Sequence, residues 1–117
     1  MAKTVLIVDD HASFRRAVRL VLEYEGYDVV GEAADGDAAL AAADDLHPEL
    51  VLLDVHMPGI DGFEVASRLS ATENAPAVVL TSSRDASDFA DRLSGSGACG
   101  FVPKAELSGD ALDALLP

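Results

Sequence analysis

Residues 5–10 read VLIVDD and residues 50–64 read LVLLDVHMPGIDGFE. Each stretch opens on four consecutive apolar residues and then turns acidic, at Asp9-Asp10 in the first and at Asp54 in the second. A short continuous apolar run fits a strand covered on both faces, which is the condition of a parallel sheet. An acid placed at the end of such a strand lies at the sheet edge where open α/β folds bind their ligands.

Working outward, three further apolar runs have strand character: Val29-Val30, Val78-Val79-Leu80 and Phe101-Val102. Five helix candidates lie between and after the runs. The first carries Phe14, Val18, Val21 and Leu22 at one-face spacing and stops at Gly26. The second is alanine-rich, from about Asp37 to Leu46, and Pro48 ends it. The third opens on Asp61 with Glu64 three residues on, a capping-box pattern. The fourth carries Phe89, Ala90 and Leu93 and ends in Gly95-Ser96-Gly97. The fifth has Ser108 as its cap and Leu112, Leu115 and Leu116 as its apolar side, with Leu107 ahead of it. Regular alternation of strand and helix predicts one α/β domain over residues 1–117, with a parallel sheet and right-handed crossovers.

Half of the 117 residues are apolar, so a core can form without disulfides or metal staples. Tryptophan is absent, and the core must come from Val, Leu, Ile and Ala. The net charge of −13 repels nucleic-acid phosphates and argues against DNA binding by this domain itself. Most of that charge serves solubility. The lone Cys99 has no partner for an internal disulfide and no metal-ligand neighbours, so a reduced, partly buried thiol in a cytoplasmic protein is expected. No apolar run approaches the length of a membrane span, and the strand-like run from Thr4 to Val8 leads to the expectation of no signal peptide.

The chemistry is concentrated at strand ends. If the first and third strands are neighbours, the carboxylates of Asp9, Asp10 and Asp54 converge, and their repulsion calls for a cation. Oxygen ligands of this hardness suit Mg²⁺. Any one of these acids alone could merely cap a helix or begin a turn; the set is what carries information. Thr81 ends the fourth strand and Lys104 follows the fifth, a hydroxyl and an ammonium that can both contact phosphate oxygens.

Taken together, VLIVDD, LVLLDVHMPGIDGFE, VVLTSS (78–83) and GFVPK (100–104) resemble the receiver domains of two-component response regulators, in order and spacing, over essentially the whole chain. The variant is similar to receivers that carry helix-turn-helix output domains. The resemblance implies a flavodoxin-like, doubly wound five-stranded parallel sheet of order 2-1-3-4-5 with five helices, the order chemotaxis receivers share with flavodoxin. It implies that Asp54 is the phosphoacceptor and that Asp10 binds Mg²⁺. Asp9 would do so directly or through water, and the backbone carbonyl of His56 would complete the protein ligands. Thr81 would bond the phosphoryl group, Lys104 would pair with Asp54 or its phosphate, and Phe101 would be the switch aromatic. The donor would be a histidine kinase or a histidine phosphotransfer protein, with homodimerisation on phosphorylation a further option and no membrane partner. Chemistry would be limited to self-phosphotransfer and autodephosphorylation.

One departure bears on the site. Many receivers place Pro directly after the Lys, with a cis bond between them; here Pro103 precedes Lys104 and Ala105 follows. A strained cis Lys104–Ala105 bond aiming the ammonium into the pocket is the expectation, despite a cost of about 2.5–4 kcal/mol. His11 and His47 are expected on the surface, and the His56 side chain in a solvated loop. Three rivals are disfavoured. A phosphorylation-independent interaction module on the same fold predicts loss of a pocket residue, and none is missing. An aspartate-based phosphatase needs a second acid that Asp54-Val55-His56 lacks. A flavin site needs a phosphate-cradling first loop, which Asp9-Asp10 would oppose.

Overall fold

The alternation of apolar runs and helical segments yields a βα chain in the computed structural model, which describes residues 3–83 and 90–116. In chain order the elements are β1 (Thr4–Val8), α1 (Ala12–Tyr24), β2 (Asp28–Ala33), α2 (Gly36–Leu46), β3 (Leu50–Asp54), α3 (Gly62–Ser70), β4 (Ala77–Ser82), α4 (Ala90–Ser94), β5 (Gly100–Pro103) and α5 (Gly109–Leu115). A single 3₁₀ turn, Lys104–Glu106, joins β5 to α5. All strands are parallel, in the order β2-β1-β3-β4-β5. The fold and strand order expected from the sequence are both present. Phe89, assigned above to the fourth helix, lies outside the described residues.

Period-two alternation divides the core between the two faces of the sheet. Leu6, Val8, Val51, Leu53, Val78 and Leu80 meet Ala39 and Ala43 of α2 and Phe63, Val65, Ala66 and Leu69 of α3. Val5, Ile7, Leu50, Leu52 and Val79 meet Val18 and Leu22 of α1 and Leu112 of α5. Burying one such side chain contributes about 1.5–3 kcal/mol. The central strands therefore supply the stability against which buried charges at their ends can be tolerated. On α1 the expected apolar face is only partly buried: Val18 and Leu22 are inside, Phe14 packs at the margin, and Val21 is 42% exposed.

Helix starts follow local chemistry. Asp61 and Ser108 accept from the backbone N–H of Glu64 and Ala111, each at 3.0 Å, as expected. The Glu64 carboxylate does not complete a box in the expected way but accepts from Arg68 one turn on. Asp35 caps α2 through Ala38 N at 2.8 Å, which moves the start of that helix to Gly36. Ahead of Pro48, His47 leaves the right-handed helical region (φ 47°) and ends α2. Pro103 is tolerated because β5 is an edge strand. Cys99 is exposed, not partly buried as expected, because it precedes that edge strand; its backbone N–H bonds Val78 O at 2.8 Å.

Gly62 is where the fold bears most directly on the chemistry. A Cβ there would overlap the carbonyl oxygen of Asp54 and come within 2.8 Å of Val55 Cα. The first turn of α3 is thereby pressed against the end of β3, with Gly62 N donating to Val55 O at 3.0 Å. Since neither backbone can yield cheaply, Gly62→Ala is expected to lower stability by about 1–3 kcal/mol. Urea unfolding checks this, and an unchanged midpoint would mean that the approach is not rigid.

Candidate functional site

Strand β1 delivers Asp9 and Asp10 just past its end, β3 ends on Asp54, and β4 carries Thr81 directly opposite Asp54 in register. The Asp9 and Asp54 side chains are almost fully buried, whereas Asp10 is partly open to solvent. Lys104, in the turn after β5, reaches both: Nζ lies 2.7 Å from Asp9 Oδ2 and 3.6 Å from Asp54 Oδ2. The shorter approach is an ion pair without hydrogen-bond alignment, so Asp9 Oδ2 still lacks an aligned donor. The Lys104 ammonium also stands 4.3 Å from the centre of the Phe14 ring, a cation–π contact that shields it from water.

The Lys104–Ala105 bond is trans, since no cis peptide bond occurs among the described residues, and the expectation of a cis bond is corrected. Extended Pro103 (φ −58°, ψ 143°) leads into the 3₁₀ turn that begins at Lys104, and the Phe14 ring supports the ammonium. That path aims the side chain without the cost of a non-prolyl cis bond.

Burial pushes the Asp54 carboxyl above its ordinary range, and the nearby Asp9 carboxylate adds to the push. Lys104 and the His56 N–H, which donates to Asp54 Oδ1 at 3.2 Å, oppose it, while Asp10 raises it further. Beside this acid the Thr81 hydroxyl is buried without a hydrogen-bond partner among the described residues. Such an orphan costs about 1–3 kcal/mol. Phe101, opposite Leu80 in register, is half-buried against the α2/α3 side of the sheet.

Ligand atoms of Asp9, Asp10, His11 and Asp54 all lie within 4.8 Å of one another. The oxygen-rich set, its mutual repulsion, and the buried Asp9 Oδ2 without an aligned donor fit a hard divalent cation such as Mg²⁺. His47 and the His56 side chain are exposed as expected. His11 is exposed too, yet it belongs to the site: Nδ1 is 3.1 Å from both Asp9 Oδ1 and Asp10 Oδ1, and its backbone N–H donates to Asp9 Oδ1 at 2.8 Å. Sequence reasoning also passes over Arg15, whose Nη1 donates to the Asp9 carbonyl at 2.7 Å, and Glu32, which accepts from Arg15 Nε at 3.0 Å. The available signal is the helical step from His11 to Arg15, which places Arg15 one turn above the acids. Glu32 gave no signal, because its role depends on β2 lying beside β1.

The profile of the family described as "Response regulator receiver domain" matches residues 5–116, and the chain belongs to that family. A Pseudomonas aeruginosa protein called a putative transcriptional regulator is 44% identical over 102 residues, 87% of this chain and 49% of its own length. The signal receiver domain of the putative response regulator NarL from Mycobacterium tuberculosis superposes with a TM-score of 0.85 at 35% identity, covering 97% of this chain and 96% of that one. A LuxR-family two-component response regulator from Aurantimonas gives a TM-score of 0.88 at 30% identity, covering 98% and 85%. The chain spans about half the length of the curated relatives it matches. No helix among the described residues is long and apolar enough to cross a membrane.

The site therefore has a receiver's acidic pocket and lysine. If Asp10 is a ligand and also a source of repulsion, Asp10→Asn separates the two effects. Its affinity for Mg²⁺ is expected to fall about tenfold or more, and its metal-free stability to match or exceed the parent's. Calorimetric titration and urea unfolding measure these. Parental Mg²⁺ affinity in the variant would remove Asp10 from the site.

Proposed function

We propose that this receiver domain is a phosphoryl-accepting signalling switch, in which Asp54 takes a phosphoryl group from a phosphohistidine donor with Mg²⁺ held by Asp9, Asp10, Asp54 and the His56 backbone carbonyl. The observation that carries the reading is the buried Asp54 carboxylate with a lysine on one side and an unpartnered hydroxyl on its register neighbour.

An oxygen of the ionised Asp54 carboxylate attacks phosphorus; the P–N bond to the donor imidazole breaks, and its electron pair leaves on nitrogen. Burial works against ionisation of Asp54, so Lys104 and the His56 N–H are needed to keep the nucleophile charged. Mg²⁺ supplies charge stabilisation at the transferring oxygens when bound. Lys104 holds one oxygen through its ammonium, and Thr81 donates its free hydroxyl to another. Hydrolysis of the acyl phosphate returns the domain to its starting state, and no other substrate is turned over.

Signalling follows from satisfying Thr81. Drawing that hydroxyl toward the phosphoryl group vacates space beside β4, and Phe101 moves inward to fill it. The face formed by α4, β5 and α5 then changes, which is a shift between two pre-existing arrangements. The donor is a histidine kinase or a histidine phosphotransfer protein in the cytoplasm, and a second copy on phosphorylation is a candidate partner. Similarity to longer transcriptional regulators supports a role as the input half of such a protein.

Incubation with a small phosphodonor and Mg²⁺ should add the mass of one phosphoryl group to the protein and none to Asp54→Ala; undiminished labelling of the variant would overturn the assignment. Thr81→Ala should accept the group yet transmit it poorly. Equal amide shifts around Phe101 in both proteins, on adding a phosphate mimic, would break the proposed coupling.

A further inference from the structure

A chain of ion pairs outside the acidic pocket leads back into it. Arg15, one turn into α1, uses both ends of its guanidinium: Nη1 donates to the backbone carbonyl of Asp9 at 2.7 Å, and Nε to Glu32 Oε1 at 3.0 Å. Glu32 sits near the end of β2, and its other oxygen accepts from Arg19 Nη1 at 2.7 Å. Arg19 in turn donates to Val29 O at 3.3 Å and pairs with Glu23. The Arg19 hydrogen bond leads in holding the Glu32 carboxyl below its usual range, against burial and with help from Arg15. Glu32 is therefore an ionised anchor tied to the sheet, and the Arg15 side chain is only 18% exposed, so the contact is weakly screened.

What Arg15 holds is the turn that presents the acids. Asp9 N donates to Ala33 O at 3.1 Å, which continues the β1–β2 ladder one residue beyond the strand. Asp9 O goes to Arg15, and Asp9 Oδ1 takes the His11 N–H. With its own N–H, carbonyl and one carboxylate oxygen fixed, Asp9 has little freedom, and Asp10 follows it directly. A planar guanidinium donating in two directions suits this task, which the single point of a lysine ammonium does not.

We infer that Arg15, anchored by Glu32, is a positioning residue for the cation site: it fixes the Asp9 backbone so that the Asp9 and Asp10 carboxylates meet Asp54 in a geometry that binds Mg²⁺. The inference rests on the proposed function above. It makes a prediction opposite in sign to simple electrostatics. Arg15 is a positive charge beside a cation site, so its removal should strengthen Mg²⁺ binding if charge alone matters. As a positioning residue, its loss should weaken binding.

The test is Mg²⁺ titration of the whole chain, followed by the amide shifts of Asp9 and Asp10, together with the rate of Asp54 phosphorylation by a small phosphodonor at rising Mg²⁺. Arg15→Met is expected to weaken Mg²⁺ about 10–100-fold, the usual cost of losing a partner that orients a ligand. The Mg²⁺ concentration that gives half the maximal phosphorylation rate should rise by the same factor, which a merely structural role would not single out. Glu32→Gln keeps the packing and should weaken Mg²⁺ in the same direction by a smaller factor, which guards against a fold defect in the first variant. Arg15→Lys keeps the charge and should not restore affinity. Unchanged or tighter Mg²⁺ binding in Arg15→Met, or full rescue by Lys, would overturn the inference. A parent protein that neither binds Mg²⁺ nor accepts phosphate at Asp54 would instead overturn the functional reading on which it stands.

Discussion

Two carboxylates, Asp9 and Asp54, are buried at adjacent strand ends, and the Lys104 ammonium stands against both. Two unit charges about 4 Å apart interact by about 4 kcal/mol at an effective dielectric of about 20. That is the same order as the penalty of leaving one buried acid unpaired. The acidic end of the sheet is therefore held by a near-balance, in which one lysine neutralises part of a surplus of negative charge. The path of the chain after β5, the Phe14 ring under the ammonium and the trans bond after Lys104 all serve to keep that one cation in place.

The same balance acts on Asp54. Asp54 is pushed toward its neutral form by burial and by Asp9, and pulled back by Lys104 and the His56 N–H. The Thr81 hydroxyl, buried and unsatisfied on the neighbouring strand, adds a cost that an incoming acceptor would remove. Under the proposed function, charge surplus on one side and a spare donor on the other would be complementary to an anionic group that arrives together with a divalent cation.

The scaffold is rigid where this matters. Gly62 allows α3 to press on the Asp54 backbone, and the Val55 N–H bonds Thr81 O at 2.9 Å, so the acid is fixed from two directions. On the other flank, the β2 ladder and the Arg15–Glu32 pair hold the Asp9 turn. Phe101 is less enclosed, only half-buried against the α2/α3 layer. The acids are thus held by several elements at once, while Phe101 keeps part of its surface exposed.

Strand identity and the acid, hydroxyl and lysine at the strand ends could be read from VLIVDD, LVLLDVHMPGIDGFE, VVLTSS and GFVPK, because buried parallel strands leave continuous apolar runs and ligand residues sit at their ends, while strand order was implied by the family resemblance of those segments. The caps at Asp61 and Ser108 were legible for the same local reason. Other features depend on contacts between residues far apart in the chain, which no local pattern records. The contact of the Lys104 ammonium with the Phe14 ring joins α1 to the turn after β5, and the exposure of Cys99 depends on its place beside an edge strand. The partnership of Arg15 with Glu32 depends on β2 lying next to β1. His11 shows a different limit: the two acids are its neighbours in sequence, but the conformation of the turn after β1 decides that its ring lies against both of them. Sequence determined which chemical groups reach the sheet edge, since period and burial are local; tertiary structure decided how each is held, since that depends on charge and packing across elements.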